Sequence, residues 1–147
     1  MRPKNIRHAM AGMTLIELMI VVAIVAILAT LATGAYRQYV LRANRTDGTM
    51  VLVKLQAAEE KYFLQNNTYT ANLGTDGLVL TGGTGTTSMT TAGGFYTITV
   101  AAGTTGSLAS SYKATATATG SQTADSSCPT FTLDDQGLRT PAATCWK

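Results

Sequence analysis

Few residues in this chain are equipped for chemistry, and their placement narrows what that chemistry could be. Glu17 stands inside the apolar stretch "GMTLIELMIVVAIVAILAT". An ionised carboxylate is costly in such a run and ordinarily marks a function with a partner. No Lys or Arg occurs between His8 and Arg37, so that partner does not lie nearby in sequence. Two adjacent acid pairs occur further on, Glu59-Glu60 and Asp134-Asp135. Neighbouring acids on a helix diverge, which makes the first pair a solvated face. The second sits at a turn and is better assigned to turn chemistry than to calcium. The only histidine, His8, precedes the apolar run. "GGTGTT" is Gly-rich but lacks the Lys and the strand-to-helix context of a phosphate loop, and no C-x-x-C or G-x-G-x-x-G is present. None of this is enzyme chemistry, and no cofactor or metal is expected.

The composition points the same way. Of the 11 basic residues, Arg2, Lys4 and Arg7 crowd the N-terminus, and the eight that remain face eight acids. The net charge of +3 therefore belongs to the start of the chain. Charged residues make up 13%, about half the usual share of a soluble domain. Cys128 and Cys145 are the two cysteines. In a chain with an export-like beginning an even count reads as a disulfide, here closing sixteen residues, and such a bridge contributes roughly 3 kcal/mol in the chain-entropy account.

The apolar segment is a membrane-length helix. Met13 to Ala35 would span about 35 Å at the helical rise, enough to cross a bilayer. Basic residues ahead of it predict a cytoplasmic start and an exported remainder. A secretory signal places its cleavage site after the apolar region. Here the small residues of "AMAG" come before it.

That order, with "G-MTLIELMIVVAIVAIL", resembles the class III signal of type IV prepilins: a short basic leader, a Gly, a hydrophobic residue, and a Glu at the fifth mature position. The resemblance implies cleavage by a prepilin peptidase between Gly12 and Met13, and N-methylation of Met13. It also implies pairing of Glu17 with the N-terminal amine of a neighbouring subunit during assembly, and removal of His8 with the leader. At ~4 Å and an effective dielectric near 20 such a pair attracts by on the order of 4 kcal/mol before desolvation. Met13 stands where relatives most often carry Phe. Gly34 stands where most carry Pro, leaving a softer weak point, because Gly costs roughly 1 kcal/mol inside a helix and Pro about 3.

Beyond Gly34, Tyr36, Val40, Ala43, Val51, Leu55, Ala58 and Tyr62 recur at helical spacing, while Arg37, Arg42, Arg45, Lys54, Glu59, Glu60 and Lys61 occupy mostly other positions. The pattern predicts one helix from about Thr14 to Gln65, with Gly34 and Gly48 as candidate bends. Residues 66–94, including "TGGTGTTSMTTAGG", read as a long flexible connection. "FYTITVAA" and "YKATATAT" alternate as strands, and "PTFTLDDQGLRTP" has the shape of a hairpin turning through Asp135-Gln136-Gly137. The expected architecture is α+β, a long N-terminal helix on an antiparallel sheet, as in the pilin fold. Its parts would be a leader over 1–12, a transmembrane and assembly helix over 13–35, and a head over 36–147. The Cys128–Cys145 region ending in Cys-Trp resembles the disulfide-bounded region of PilE/ComP-type minor pilins.

A structural function follows from these readings. The chain is expected to be a type IV pilus subunit serving twitching motility, adhesion or DNA uptake. It would begin as a single-pass inner-membrane precursor and end in a surface fibre. Its partners would be other pilins and the inner-membrane assembly platform. A type II secretion pseudopilin is the alternative from the same machinery, and a pilus-associated DNA receptor is another. The receptor needs a basic patch. Arg37, Arg42, Arg45, Lys54 and Lys61 spread over seven helical turns beside three acids, and the stapled region adds only Arg139 and Lys147. On sequence that is a thin basis.

Overall fold

The computed structural model describes residues 13–81, 84–141 and 144–146, and at Leu31 and Ala32 the backbone alone. The chain divides into two compact units that meet between Arg37 and Gln38. One helix, α1, covers Leu15–Asn66. It starts where Thr14 Oγ1 accepts the Glu17 N–H (3.3 Å), a side-chain N-cap. It stops at Asn67, whose positive φ of 53° takes the chain out of the helix while its N–H still donates to the Phe63 carbonyl. These bounds lie one residue from those expected.

In the first unit every large apolar side chain from Met13 to Leu28 is 44–78% exposed. The helix contains a stretch of mean hydropathy 2.8, long and apolar enough to cross a membrane.

The second unit is a head built on a five-stranded antiparallel meander. β1 is Ser88–Thr90, β2 Tyr96–Ala102, β3 Tyr112–Ala118, β4 Thr130–Asp134 and β5 Arg139–Thr140, in that spatial order. The alternation read from the sequence holds: Tyr96, Ile98 and Val100 of β2 and Tyr112, Ala114, Ala116 and Ala118 of β3 all point inward. Register sets Ala116 between Ile98 and Phe131, and Ala114 between Val100 and Leu133. A row of small side chains flanked by large ones leaves a trough on the inner face. Leu52 and Leu55 of α1 join that core, and Gly48 meets Phe131 and Tyr96 so closely that a Cβ would lie 2.6 Å from the Phe131 ring. Gly48 is thus a packing contact between helix and sheet.

Two expectations need correction. The inward stripe of α1 in the head is Leu41, Arg45, Gly48, Leu52, Leu55 and Glu59, whereas Tyr36 is 70% exposed and Ala43 faces solvent. The apolar pattern found part of this face, since Leu55 is buried and Val51, Ala58 and Tyr62 pack partly buried against the core, but it passed over Arg45 and Glu59 because they are charged residue types. The connection after α1 is also partly ordered by pairing. Ser88–Thr90 forms an edge strand on β2, and Leu73 and Leu78 are buried. A three-residue strand with one apolar member leaves almost no alternation to detect.

Candidate functional site

The stapled end of the head is assembled around buried polar groups. Arg45 of α1 holds Asp125 through two hydrogen bonds, Nε to Oδ2 at 2.7 Å and Nη2 to Oδ1 at 2.8 Å. Its third contact, from Nη1 to the Thr144 carbonyl, is 2.8 Å. The Asp125 hydrogen bonds raise the guanidinium pKa against the opposing effect of burial. Gln122 extends the network from a short 3-10 turn, Gly120–Ala124. Its amide donates to the Leu41 carbonyl (2.8 Å) and the Tyr96 hydroxyl (2.9 Å). Removing either member of such a buried pair would strand the other, at a cost of about 3–5 kcal/mol.

This network fixes the chain on both sides of the disulfide. Cys128 and Cys145 are bonded, with Cα atoms 5.6 Å apart, and both are fully buried. Held by Cys145, Trp146 sets its ring edge-to-face on Phe131, centroids 5.6 Å apart. Arg139 of β5 then lies over the Trp146 ring, its guanidinium carbon 5.0 Å from the centroid. Between this pair and Thr49, Met50, Val53 and Lys54 of α1 runs a groove of about 370 Å³. Its lining carries two cations and no acid. The indole Nε1–H of Trp146 has no hydrogen-bond partner among the described residues. A second hollow of about 430 Å³, lined by Arg42, Arg45, Ser127 and Thr144, flanks the same terminal segment.

The candidate DNA-contacting cations therefore separate. Lys54 and Arg139, 85 positions apart, share one groove, while Arg45 is consumed by Asp125. Lys61 lines a different hollow, beside Tyr62 and Gly77–Val79. Lys147 lies outside the described residues. Trp146 was not singled out from the sequence as a site residue, although an indole beside a half-cystine is a visible signal for a rigid aromatic platform.

The acid pairs resolve differently. Asp134 accepts hydrogen bonds from the N–H groups of Gln136 and Leu138 at 3.1 and 2.8 Å, which is turn chemistry as expected. Glu60 is solvated, but Glu59 is fully buried, contrary to the solvated face expected for both. Its Oε2 accepts the Thr70 N–H at 3.1 Å, and its Oε1 has no partner among the described residues. Burial pushes its pKa up to about 7, against the opposing Thr70 hydrogen bond. The neighbouring Tyr112 hydroxyl is also without a partner among the described residues, and burial raises its pKa as well. Among the described residues no cluster of three or more His, Cys, Asp or Glu could hold a metal ion.

At the N-terminus, Met13 is exposed and Glu17 occupies the first turn of α1, while Gly12 and His8 lie outside the described residues. Thr14-x-x-Glu17 has the spacing of a capping box, and the Thr14 half is formed. Gly34 sits in α1 with open space where a side chain would be.

Comparisons with known proteins converge on this architecture. Residues 7–33 match the prokaryotic N-terminal methylation motif. Residues 34–132, more than half of the chain, match the family described as type IV minor pilin ComP, DNA uptake sequence receptor. The fold is similar to that of a type IV pilin from Shewanella oneidensis, with 21% identity, 73% of this chain and 98% of that chain covered, and a TM-score of 0.50. No curated protein matches the chain. The methylation motif, the long helix on its antiparallel sheet and the family match over residues 34–132 together place this chain in the ComP family of type IV minor pilins.

Proposed function

We propose that this pilus subunit carries a DNA-binding head into the fibre, as a receptor in DNA uptake and not as an enzyme. The observation that carries the reading is the family match over residues 34–132, to minor pilins described as receptors for a DNA uptake sequence. The head supports it with a groove in which Lys54 and Arg139 stand beside an aromatic ring with no acid in the lining. The same match favours a pilus over a secretion pseudopilus.

The N-terminal part delivers that head. In this reading a prepilin peptidase cuts between Gly12 and Met13, Met13 is methylated, and the apolar helix holds the precursor in the inner membrane. Glu17 then meets the methylated amine of a neighbouring pilin as the assembly platform lifts the subunit into the surface fibre, and Gly34 supplies a soft point in the helix. The methylation-motif match, over residues 7–33, spans Gly12, Met13 and Glu17. Subunits and assembly machinery are thus its protein partners, and DNA its ligand.

The test is duplex binding by the full-length mature protein in detergent. Retention of a short labelled duplex at low salt is expected, with affinity falling steeply as salt rises, because phosphate contacts release counterions. Absence of binding at 20–50 mM salt would remove the receptor role and leave a purely structural subunit.

A further inference from the structure

We infer that Arg139 is the base-reading side chain of the DNA site, held in position by Trp146, and that Lys54 is a phosphate contact. This rests on the receptor reading above and goes beyond it by assigning roles within one groove.

The argument begins with what holds Arg139. Its guanidinium lies 5.0 Å from the centre of the Trp146 ring. The ring cannot readily follow a moving ligand, because it rests edge-on against Phe131 and follows directly on the buried half-cystine Cys145. Arg45 clamps the adjoining Thr144 carbonyl from the other side. An exposed Arg ordinarily gives up considerable rotamer freedom on binding; one already stacked on a fixed ring has lost much of it beforehand. Yet among the described residues Arg139 makes no ion pair, since Arg45–Asp125 is the pair found there. Among those residues its planar fork of donors makes no hydrogen bond either. That fork has the geometry required for two parallel hydrogen bonds to one guanine edge, or for insertion into a narrow minor groove.

Lys54 is different in kind. It stands exposed on α1 across the same groove, stacked on no aromatic ring among the described residues, with a compact charge on a flexible stem. A point charge of that sort neutralises a phosphate without reading sequence. DNA is the occupant that suits both cations, because the lining offers no carboxylate to oppose a polyanion. Asp134, in the hairpin that leads to Arg139, has its carboxylate taken up by its own turn.

Trp146 is the single tryptophan of the chain, so its emission reports on this groove alone. A pool of randomised 20-base-pair duplexes is enriched on the full-length mature protein in detergent. One enriched duplex and a scrambled control are then titrated by anisotropy and by tryptophan emission. Emission should change with the same midpoint as anisotropy. Wild type should prefer the enriched duplex by roughly five- to 150-fold, the range of a good bidentate base contact. Arg139→Lys should lose most of that preference while its affinity for the scrambled duplex moves less than about threefold. Lys54→Ala should weaken both duplexes by the same factor and reduce the salt slope by about 0.9. Circular dichroism checks that each variant is folded.

Unchanged tryptophan emission on saturation with DNA would overturn the groove assignment while leaving the receptor reading intact. So would wild-type discrimination by Arg139→Lys, or binding by wild type that is blind to sequence. Failure of wild type to bind any duplex would overturn both.

Discussion

Arg45 and Glu59 are ionisable side chains that α1 turns into the head, and they meet the cost of burial in opposite ways. Arg45 keeps its charge and surrounds it with Asp125 and the Thr144 carbonyl. Glu59 finds one donor, Thr70, and avoids the remaining cost by holding its proton up to about pH 7. The consequence for stability has a definite sign. Below about pH 4.5 Glu59 is protonated in both folded and unfolded chains and contributes no pH dependence. Between there and pH 7 the unfolded chain ionises first, so stability falls as pH rises, by on the order of 3 kcal/mol in all. Above pH 7 both forms are ionised and the loss is complete. Glu59→Gln should remove that slope. Denaturation midpoints of wild type and variant should agree best below about pH 4.5 and separate by pH 8, with the variant the more stable. Parallel curves across that range would show that Glu59 is ionised in the fold.

At the scale of elements, α1 carries two glycines whose helical setting looks alike and whose surroundings differ. Replacing either by Ala gains about 1 kcal/mol of helix propensity. At Gly34 nothing lies within 4 Å of the new Cβ, so the gain should stand and the helix should stiffen. At Gly48 the Cβ would meet the Phe131 ring at 2.6 Å and Tyr96 at 3.1 Å. Overpacking of that kind costs about 1–3 kcal/mol and outweighs the propensity gain. Gly48→Ala should therefore lower the melting temperature of the head, by several degrees for a domain of its size. A raised melting temperature would mean that the rings move aside freely. The closeness of α1 to the sheet depends on this glycine together with the small residues of β3, Ala114 and Ala116.

For the molecule as a whole, the decisive question is how the N-terminal segment is processed and docked. Intact mass of the mature protein should show loss of residues 1–12 and one added methyl group on Met13. Glu17 has a local role to separate from its docking role, because it sits at the capping-box position after Thr14. Glu17→Gln retains the capping geometry and discards the charge, whereas Glu17→Val discards both. If pairing with a neighbour's amine is what matters, both variants should be cut, stay in the membrane, and enter sheared fibres poorly. Normal incorporation of Glu17→Gln beside a defective Glu17→Val would assign Glu17 to helix capping instead.

How far the sequence reaches depends on how local the determining interaction is. The order of basic leader, Gly12, apolar run and Glu17 is contiguous, and the family to which it points is the one that residues 34–132 match. β2, β3 and the β4–β5 hairpin were legible because alternation and turn residues act over fewer than fifteen positions. The cysteine pair was legible because two cysteines have one pairing, and the fold forms it. What the sequence left open was set by partners far along the chain. Arg45 belongs inward because Asp125 stands 80 residues away and Thr144 stands 99 away. Gly48 serves as a contact because Phe131 lies across from it, and Ser88–Thr90 is a strand because β2 offers an edge. Lys54, Arg139 and Trp146 form a groove for the same reason: only folding brings one face of α1 against the stapled terminus. Composition counts charges along the chain, but a binding site depends on which of them remain unpaired and adjacent in space, and that is decided by packing.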